Sequence, residues 1–486
     1  MSLSAALNTT KSIFSTTSYQ SSIVANNIAN SSNTDYVRRE AAVTTSLDGA
    51  QVVAVSRAQE DALLTQYLQS NASDSGQQTL LDGLEQLKSI LGGNDYETSP
   101  STYLASFQEA LQTFATSPSS TIAAQSAVTA AQDLANSLNE ASDGVQSVRQ
   151  DADAEIATQV DTLNTLLSQF QTANDAVKVA TATGADTSSA LDEREKLLKQ
   201  ISSIIGVTTV TRDNNDMALY TSDGTTLFES TARSVTFKAT STYVAGTEGN
   251  AVYIDGVALK AGEGSTTSAD GSLQALLQLR DEVAPTFQAQ LEEIAKSLVS
   301  AFSETDGTTT VPGLFVWTTS TGADGETPTS SDVINGIAAT ISVNSSVVTS
   351  QGGDPMNLRD GSVSGITDLN SDGNSGFSDN LNTLYSALDT SRSFSSDAGL
   401  SSSVSIMSYA SASIGWLEEY RSGATSAAEN TSAALSRSDE AYSNETGVNL
   451  DEELTLLLDI EQSYKAATKL LNTINEMLQS LLDLGT

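Results

Sequence analysis

The chain has 486 residues, enough for several domains and a large core. Its 60 acidic residues against 22 basic ones give a net charge of −38, which argues against nucleic acid and anionic membrane as partners. Histidine and cysteine are both absent, so the usual general base, the Ser-His-Asp triad, the thiol nucleophile, the disulfide and the common thiolate and HExxH metal centres are all excluded.

The first helix is read from Leu3, Leu7, Thr10, Phe14, Thr17, Ser21, Val24 and Ile28, which fall alternately four and three residues apart. Five of these are large and apolar and the rest are small hydroxyl residues. A polar hinge, NSSNTDYVRR, follows from Asn30 to Arg39. Asp48-Gly49 then reads as a turn and Gln51 to Val55 as a short strand. Helix resumes near Ala58 on Leu64, Leu68, Leu80, Leu84, Leu87 and Leu91 and stops at Gly92-Gly93. A shorter helix carries Leu104, Phe107, Leu111 and Phe114 and closes before Pro118. From about Thr121 to Ala180 the helical period barely breaks, with Gly144 as the expected kink. One more helix, Ala190 to Ile205, ends at Gly206.

At Gly206 the composition changes to alternating Thr- and Val-rich sequence. Asp223-Gly224 and Asp255-Gly256 mark hairpins. Helix returns from Gly271 to Ser303. Residues 304–379 are irregular and rich in Gly, Ser, Thr and Asp, with a possible strand from Ala338 to Val343, and helix then runs with interruptions to the end. The last helix holds an unbroken heptad seam: Leu457, Ile460, Tyr464, Ala467, Leu471, Ile474, Leu478 and Leu481. Gly447 can end the preceding helix, Asn449 can cap this one, and Glu452 sits at the capping-box position. So apolar a helix needs a partner surface, and the first helix offers one of similar length. The two termini are therefore expected to pair.

The expected fold is α+β and multi-domain. Paired N- and C-terminal coiled-coil helices with the hinge occupy 1–57 and 445–486. An elongated helical-bundle domain takes 58–205, 271–304 and 380–444. A β-rich central insert takes 206–270 and 305–379.

Few residues offer chemistry. DLNSDGNSGFSD matches calcium-loop spacing through Asp368, Asn370, Asp372, Gly373 and Asp379, but lacks the bidentate Glu and a preceding helix. The simpler reading is a surface loop with an Asp-Gly turn. Asp192, Glu193, Arg194, Glu195 and Lys196 read as a solvated helix face, and Arg38-Arg39 as a solvated basic spot in the hinge. Trp416, on a helical pattern with Tyr409 and Tyr420, reads as core or interface. No catalytic, cofactor or metal site is expected. Residues 1–13 lack the apolar run of a signal peptide, and no segment approaches a membrane span, so composition alone reads as a cytosolic protein.

Four stretches point elsewhere. ANNIANSSNTDYVRRE, Ala25 to Glu40, resembles the A-N-N-I-A-N…N-T…Y segment of the bacterial flagellar rod, hook and hook-associated proteins. Asp35 stands where that family usually has glycine. The C-terminal segment from Leu450 resembles the matching segment of the same family. Leu191 to Val207 and Gly271 to Val283 resemble its hook-associated members. The resemblance implies that the terminal helices line the inner tube of the flagellum, with the helical bundle around them and the β insert facing outward. It implies a place at the junction of hook and filament and uncleaved export through the flagellar type III apparatus. A cytoplasmic chaperone would mask the last helix before export. The implied partners are copies of the chain in a helical ring, the hook protein and a second junction protein. The expected assembly residues are Leu3, Leu7, Phe14, Val24 and Ile28 on the first helix and Leu457, Ile460, Tyr464, Leu471, Ile474, Leu478 and Leu481 on the last. Three other readings stay open: another axial protein, a secreted enzyme on an axial scaffold, and a cytosolic coiled-coil scaffold.

Overall fold

The computed structural model describes residues 3–46 and 49–483. The first helix, α1 (Leu3–Ala29), leads through the hinge into a two-stranded ribbon of β1 (Arg39–Ser46) and β2 (Gly49–Arg57). The ribbon is antiparallel, begins at the pair Arg39 and Arg57, and carries a bulge between Ala42 and Val43. Asp48 of the expected turn lies outside the described residues.

Four helices follow. In α2 (Asp61–Ile90), Leu68, Leu80, Leu84 and Leu87 recur on one face and are buried there. The helix stops because Gly92 takes a left-handed φ of 93°, and a side chain there would also meet the amide of Glu97 at 2.8 Å. In α3 (Pro100–Thr116), Ser99 caps the amide of Thr102 and Pro100 opens the first turn, where its missing N–H costs nothing. Then α4 (Thr121–Thr183) runs 63 residues, from the Ser120 cap to Gly184, a length of about 95 Å at 1.5 Å per residue. Gly144 does not interrupt it. A Cβ at that position would lie 2.4 Å from Ile90 Cγ2, so this glycine lets α2 approach α4. Gly144→Ala should therefore destabilise by about 1–3 kcal/mol despite alanine's better helix propensity. In an Ile90→Ala background the same change should become neutral or stabilising. Thermal melts of the four proteins check this. Helix α5 (Ser188–Ile204) completes the set.

The insert is thinner in strand than its composition promises. Two three-stranded antiparallel sheets hold β3 (Val207–Thr211), β4 (Met217–Thr221) and β5 (Thr226–Phe228), and β6 (Val235–Thr236), β7 (Tyr253–Ile254) and β8 (Val257–Ala258). Asp255 and Gly256 both have positive φ, 49° and 84°, which gives the β7–β8 turn the backbone twist a two-residue hairpin needs. These sheets lie on α4. Phe228 meets Phe170 at 5.1 Å, and the Asn164 side chain bonds both the amide and the carbonyl of Val235.

Next come α6 (Ser272–Gln278) and α7 (Ala284–Ala301), joined without a break by one π-helical turn at Leu279–Val283. Pro285 accounts for that turn. It has no N–H for the carbonyl four residues back, and its ring needs the extra room a wider turn supplies. Within the turn, the fully buried Arg280 pairs with Asp153 of α4 at 2.6 Å.

Residues 304–379 hold only two-residue strands and short helices. The pairs are β9 (Glu304–Thr305) with β10 (Thr310–Val311) and β11 (Phe315–Val316) with β12 (Ser342–Val343). Of the expected strand at 338–343, residues 338–340 belong to helix α8 (Ile337–Thr340) and only Ser342–Val343 is strand; α9 (Asn357–Asp360) is as short as α8. Helix α10 (Asp379–Asp389) and the pair β13 (Arg392–Ser393) with β14 (Ser403–Val404) lead into two long helices, α11 (Ile406–Thr446) and α12 (Leu450–Asp483). Phe107, Phe302 and Phe315 form a three-ring knot with centroids 5.3 to 5.6 Å apart, tying α3 and the end of α7 to β11. One hydrophobic core runs from Leu68 to Ala424 through bundle and insert alike, and the terminal pair α1–α12 stands outside it. No helix among the described residues is long and apolar enough to cross a membrane.

Candidate functional site

The termini do meet. Asn27 near the end of α1 touches Glu453 at the start of α12, and Phe14 packs edge-on against Tyr464 at 4.9 Å, so the two helices run antiparallel. The line α12 buries is narrow: Glu453, Ile460, Ala467 and Ile474, seven residues apart. Opposite it, α1 buries Thr10, Thr16, Thr17, Ile23, Val24 and Asn27. The threonines are no defect in this seam. Thr10 and Thr17 donate their hydroxyls to the carbonyls of Ala6 and Ile13, which satisfies the polar atom within the helix.

The expected assembly residues divide accordingly. Val24, Ile460 and Ile474 are buried within the pair, and Leu3, Phe14, Ile28, Leu457 and Leu471 are half-buried. Leu7, Tyr464, Leu478 and Leu481 are exposed. At 100° per residue, exposed apolar side chains flank the buried line of α12 on both sides. Leu456, Leu470 and Met477 lie on one flank, Leu450, Leu454, Tyr464 and Leu482 on the other, and Leu481 continues the seven-residue line past Ile474, where it is exposed. The one partner helix leaves both flanks of that apolar arc uncovered.

Where the pair meets the bundle, two polar clusters form a joint. In the first, Asn27 spends its whole bonding capacity. Its Nδ2 donates to the carbonyl of Arg39 and to Glu453 Oε1, both at 2.9 Å, and its Oδ1 accepts from the hydroxyl of Tyr36 at 2.7 Å and the amide of Arg39 at 3.1 Å. The side chain thus pairs with Arg39 as a neighbouring strand would. In the second, Arg57 at the base of the ribbon donates to Asp192 at 2.7 Å and to Glu195 of α5. Glu195 also accepts from Tyr442 of α11 at 2.6 Å and pairs with Lys199 at 3.3 Å. Burial alone would raise the Glu195 carboxyl. Arg57 first, then Lys199 and the Tyr442 hydroxyl, outweigh it and hold the group below its ordinary range. The Tyr442 hydroxyl is pushed well above its usual value by burial and by Glu195.

Several surface readings change here. Arg39 reaches Asp192 at 3.1 Å, and Arg38 reaches Glu40 and Glu452, so the hinge arginines are spent inside the molecule. Arg194 and Glu195 are buried, because α5 packs between α4 and α2, with Arg57 of the ribbon closing over Glu195, instead of facing water. Arg194 donates to Asn174 at 3.0 Å and to the carbonyl of Asn215. Gly447 is extended, not left-handed, and is needed because a side chain would meet the carbonyl of Ser443 at 2.5 Å. Asn449 does cap α12 through the amides of Asp451 and Glu452, while the Glu452 carboxylate turns to Arg38. At the calcium-like loop, Asn370 is buried and bonds Asp360 and Asn374, and Asp368 accepts the amide of Asn370. The loop satisfies itself, and the described residues hold no cluster of acidic side chains able to bind a metal.

The family model for the helical domain of flagellar hook-associated protein FlgK matches residues 84–309, from within α2 to the end of the first insert segment and α7. A second model, the C-terminal segment of the flagellar basal body rod FlgEFG proteins, matches residues 440–484, which is the end of α11 and all of α12. Flagellar hook-associated protein 1 of Bacillus subtilis is 22% identical over 504 residues, covering 95% of this chain and 94% of that relative. Over its helical domain and its last helix the chain is similar to the flagellar hook-associated and rod proteins. Flagellar hook-associated protein 1 of Salmonella typhimurium is 26% identical over 260 residues, 53% of this chain and 46% of that relative. A solved structure of the flagellar hook junction protein FlgK from Burkholderia pseudomallei aligns with 52% of this chain and 46% of its own at a TM-score of 0.41 and 22% identity.

The joint gives the resemblance of the hook-associated termini a physical content. Asn27 of the A-N-N-I-A-N segment, Tyr36 of the hinge and Glu453 of the C-terminal segment are three corners of one hydrogen-bonded cluster. Sequence reasoning gave no role to the side chains of Asn27, Tyr36, Arg57, Tyr442 and Glu453, and placed Glu195 on a solvated face. The signal for Asn27 was the run of asparagines inside an otherwise apolar period.

Proposed function

We propose that this protein is a structural component of the bacterial flagellum that builds the hook–filament junction by self-assembly through its terminal helices. The observation that carries this reading is the pair of apolar flanks on α12 that α1 leaves uncovered. A single subunit cannot bury both, whereas a ring of subunits can. The flank residues Leu456, Leu470 and Met477 on one side and Tyr464 and Leu478 on the other, with Leu481 at the end of the seam, are the assembly surface toward neighbouring copies. Val24, Ile460 and Ile474 hold the pair together within each subunit. The pair forms the inner tube, residues 58–205, 271–304 and 380–444 surround it, and residues 206–270 and 305–379 face outward. The hook protein adjoins one end of the ring and a second junction protein the other. Before export a cytoplasmic chaperone covers α12, and the chain then passes through the type III apparatus. Its lack of cysteine suits threading, since no cross-link can form. The protein catalyses nothing and needs no cofactor.

The test is immunogold microscopy of hook–filament preparations with antibody to residues 206–270, paired with deletion of the gene. The expected result is a narrow band of label between hook and filament, with loss of filaments and flagellin in the medium on deletion. Label along the whole hook or filament would reject the junction.

A further inference from the structure

The joint holds an unfinished network. Glu453 is 4% exposed, its Oε1 accepts one bond from Asn27, and its Oε2 is buried without a partner. Among the described residues it has no ion pair. Arg38, whose charge acts on it, is engaged with Glu40 and Glu452, and its own Nε is buried without a partner. A buried carboxylate with one hydrogen bond is costly, and a neutral carboxyl in the same place is far less so. Yet this residue closes over Asn27, which holds both backbone groups of Arg39, the first residue of the ribbon. The backbone of Arg38 in turn bonds the carbonyl of Thr446 at the end of α11. Whatever Glu453 does is felt by three segments at once.

We propose that Glu453 is a proton-operated latch: uptake of a solvent proton at Oε2 tightens the seating of α12 on Asn27 and, through Arg39, of the β1–β2 ribbon on the bundle. Oε1 keeps the bond from Asn27 in both states, so the proton goes to the empty oxygen. The groups that face the carboxyl are Asn27 from α1, Tyr36, Arg38 and Glu40 from the hinge and ribbon, and Glu452 from α12 itself. Burial, then Glu40 and Glu452, raise the Glu453 carboxyl, and the bond from Asn27 and the charge of Arg38 only partly offset them. A carboxyl raised in the folded state favours folding in its protonated form. The joint therefore gains stability as pH falls from neutral through the folded value, and loses it as pH rises. Glu195 has the opposite sign, since its depressed carboxyl releases Arg57 only below the free carboxylate range. The two effects occupy separate windows. The inference concerns the single subunit and does not depend on the junction reading.

Hydrogen exchange of the full-length protein, read as protection factors for peptides spanning 36–42 and 450–456, tests it at about pH 5.5 and about pH 7.5. Protection should be higher at the lower pH, by about tenfold for each unit by which the folded pKa lies above pH 5.5. Glu453→Gln should show the high protection at both values, with the pH dependence gone. Glu452→Gln, on the exposed neighbour, should keep the pH dependence. A flat wild-type profile, one that falls at lower pH, or no protection at either pH overturns the latch. So does a Glu453→Gln protein that retains the dependence. If circular dichroism shows that Glu453→Gln does not fold, the wild-type and Glu452→Gln profiles still decide.

Discussion

Leu470→Glu combined with Met477→Glu is expected to abolish self-assembly while leaving the melting temperature of the isolated subunit within about 2 °C of wild type. Leu470 and Met477 are 50% and 44% exposed on one flank of α12, away from the line that meets α1. Glutamate is a good helix former, and in the monomer the new carboxylates stay in water, so the change should cost the single chain little. In an assembly the same positions would be buried against another helix. Each lost apolar contact then forfeits about 1.5–3 kcal/mol, and each buried carboxylate costs more still. Leu470→Lys with Met477→Lys should behave alike, which separates loss of apolar surface from added negative charge in a chain already at −38. By contrast, Ile460→Ala and Ile474→Ala should lower the melting temperature of the terminal pair itself, by about 2–4 kcal/mol each in stability. Light scattering for association, calorimetry for the monomer and filament attachment in complemented cells are the readouts. Normal assembly by both flank variants would sink the proposal. Because the subunits repel one another, wild-type assembly should strengthen as salt rises over the range where screening acts.

Arg57→Ala is expected to be the most damaging single change at the joint, destabilising it by about 3–5 kcal/mol. Arg57 and Glu195 have side chains only 5% and 7% exposed, so removing the guanidinium strands a buried carboxylate whose remaining partners are Lys199 and Tyr442. Arg57→Met with Glu195→Gln removes both charges and should recover most of the loss, leaving chiefly the cost of an imperfect fit. The pH dependence follows from the depressed Glu195 carboxyl. The stability it contributes is fully present above the ordinary glutamate range and is lost as pH falls through the folded value. Arg57→Ala should flatten that acid limb. Hydrogen exchange across residues 39–57 and acid titration of the melting temperature check both points. An Arg57→Ala protein as protected as wild type would show that the ribbon is held by its backbone alone.

Much of this protein was legible without coordinates, and the reason is periodicity. Helices whose apolar positions recur over three or more turns, such as α2, α4 and α12, announce their own faces, because burial on one side is a local pattern repeated many times. Turn chemistry was equally local. Gly92 and Asp255-Gly256 end or reverse the chain by backbone freedom that needs no distant partner. The pairing of the termini followed from two apolar stripes of similar length, while its antiparallel sense came from the contacts Asn27–Glu453 and Phe14–Tyr464.

What the sequence could not determine was which charged or polar residue would be enclosed. Arg194 and Glu195 read as surface because they sit among other charges, yet α2 and α4 close over the helix that carries them. Gly144 read as a kink because nothing local records the approach of Ile90. Asn27 and Asn164 each serve as a strand partner for a residue elsewhere in the chain, a role set by where the backbone of Arg39 and Val235 comes to lie. The sequence by itself determined the elements, their apolar faces and the meeting of the ends, since these rest on spacings of three, four and seven residues. Only the tertiary structure decided the joint and divided the α12 seam between α1 and the open flanks. Hydrogen bonds and ion pairs between segments more than a hundred residues apart, as between Arg57 and Glu195, depend on chain geometry that no local pattern encodes.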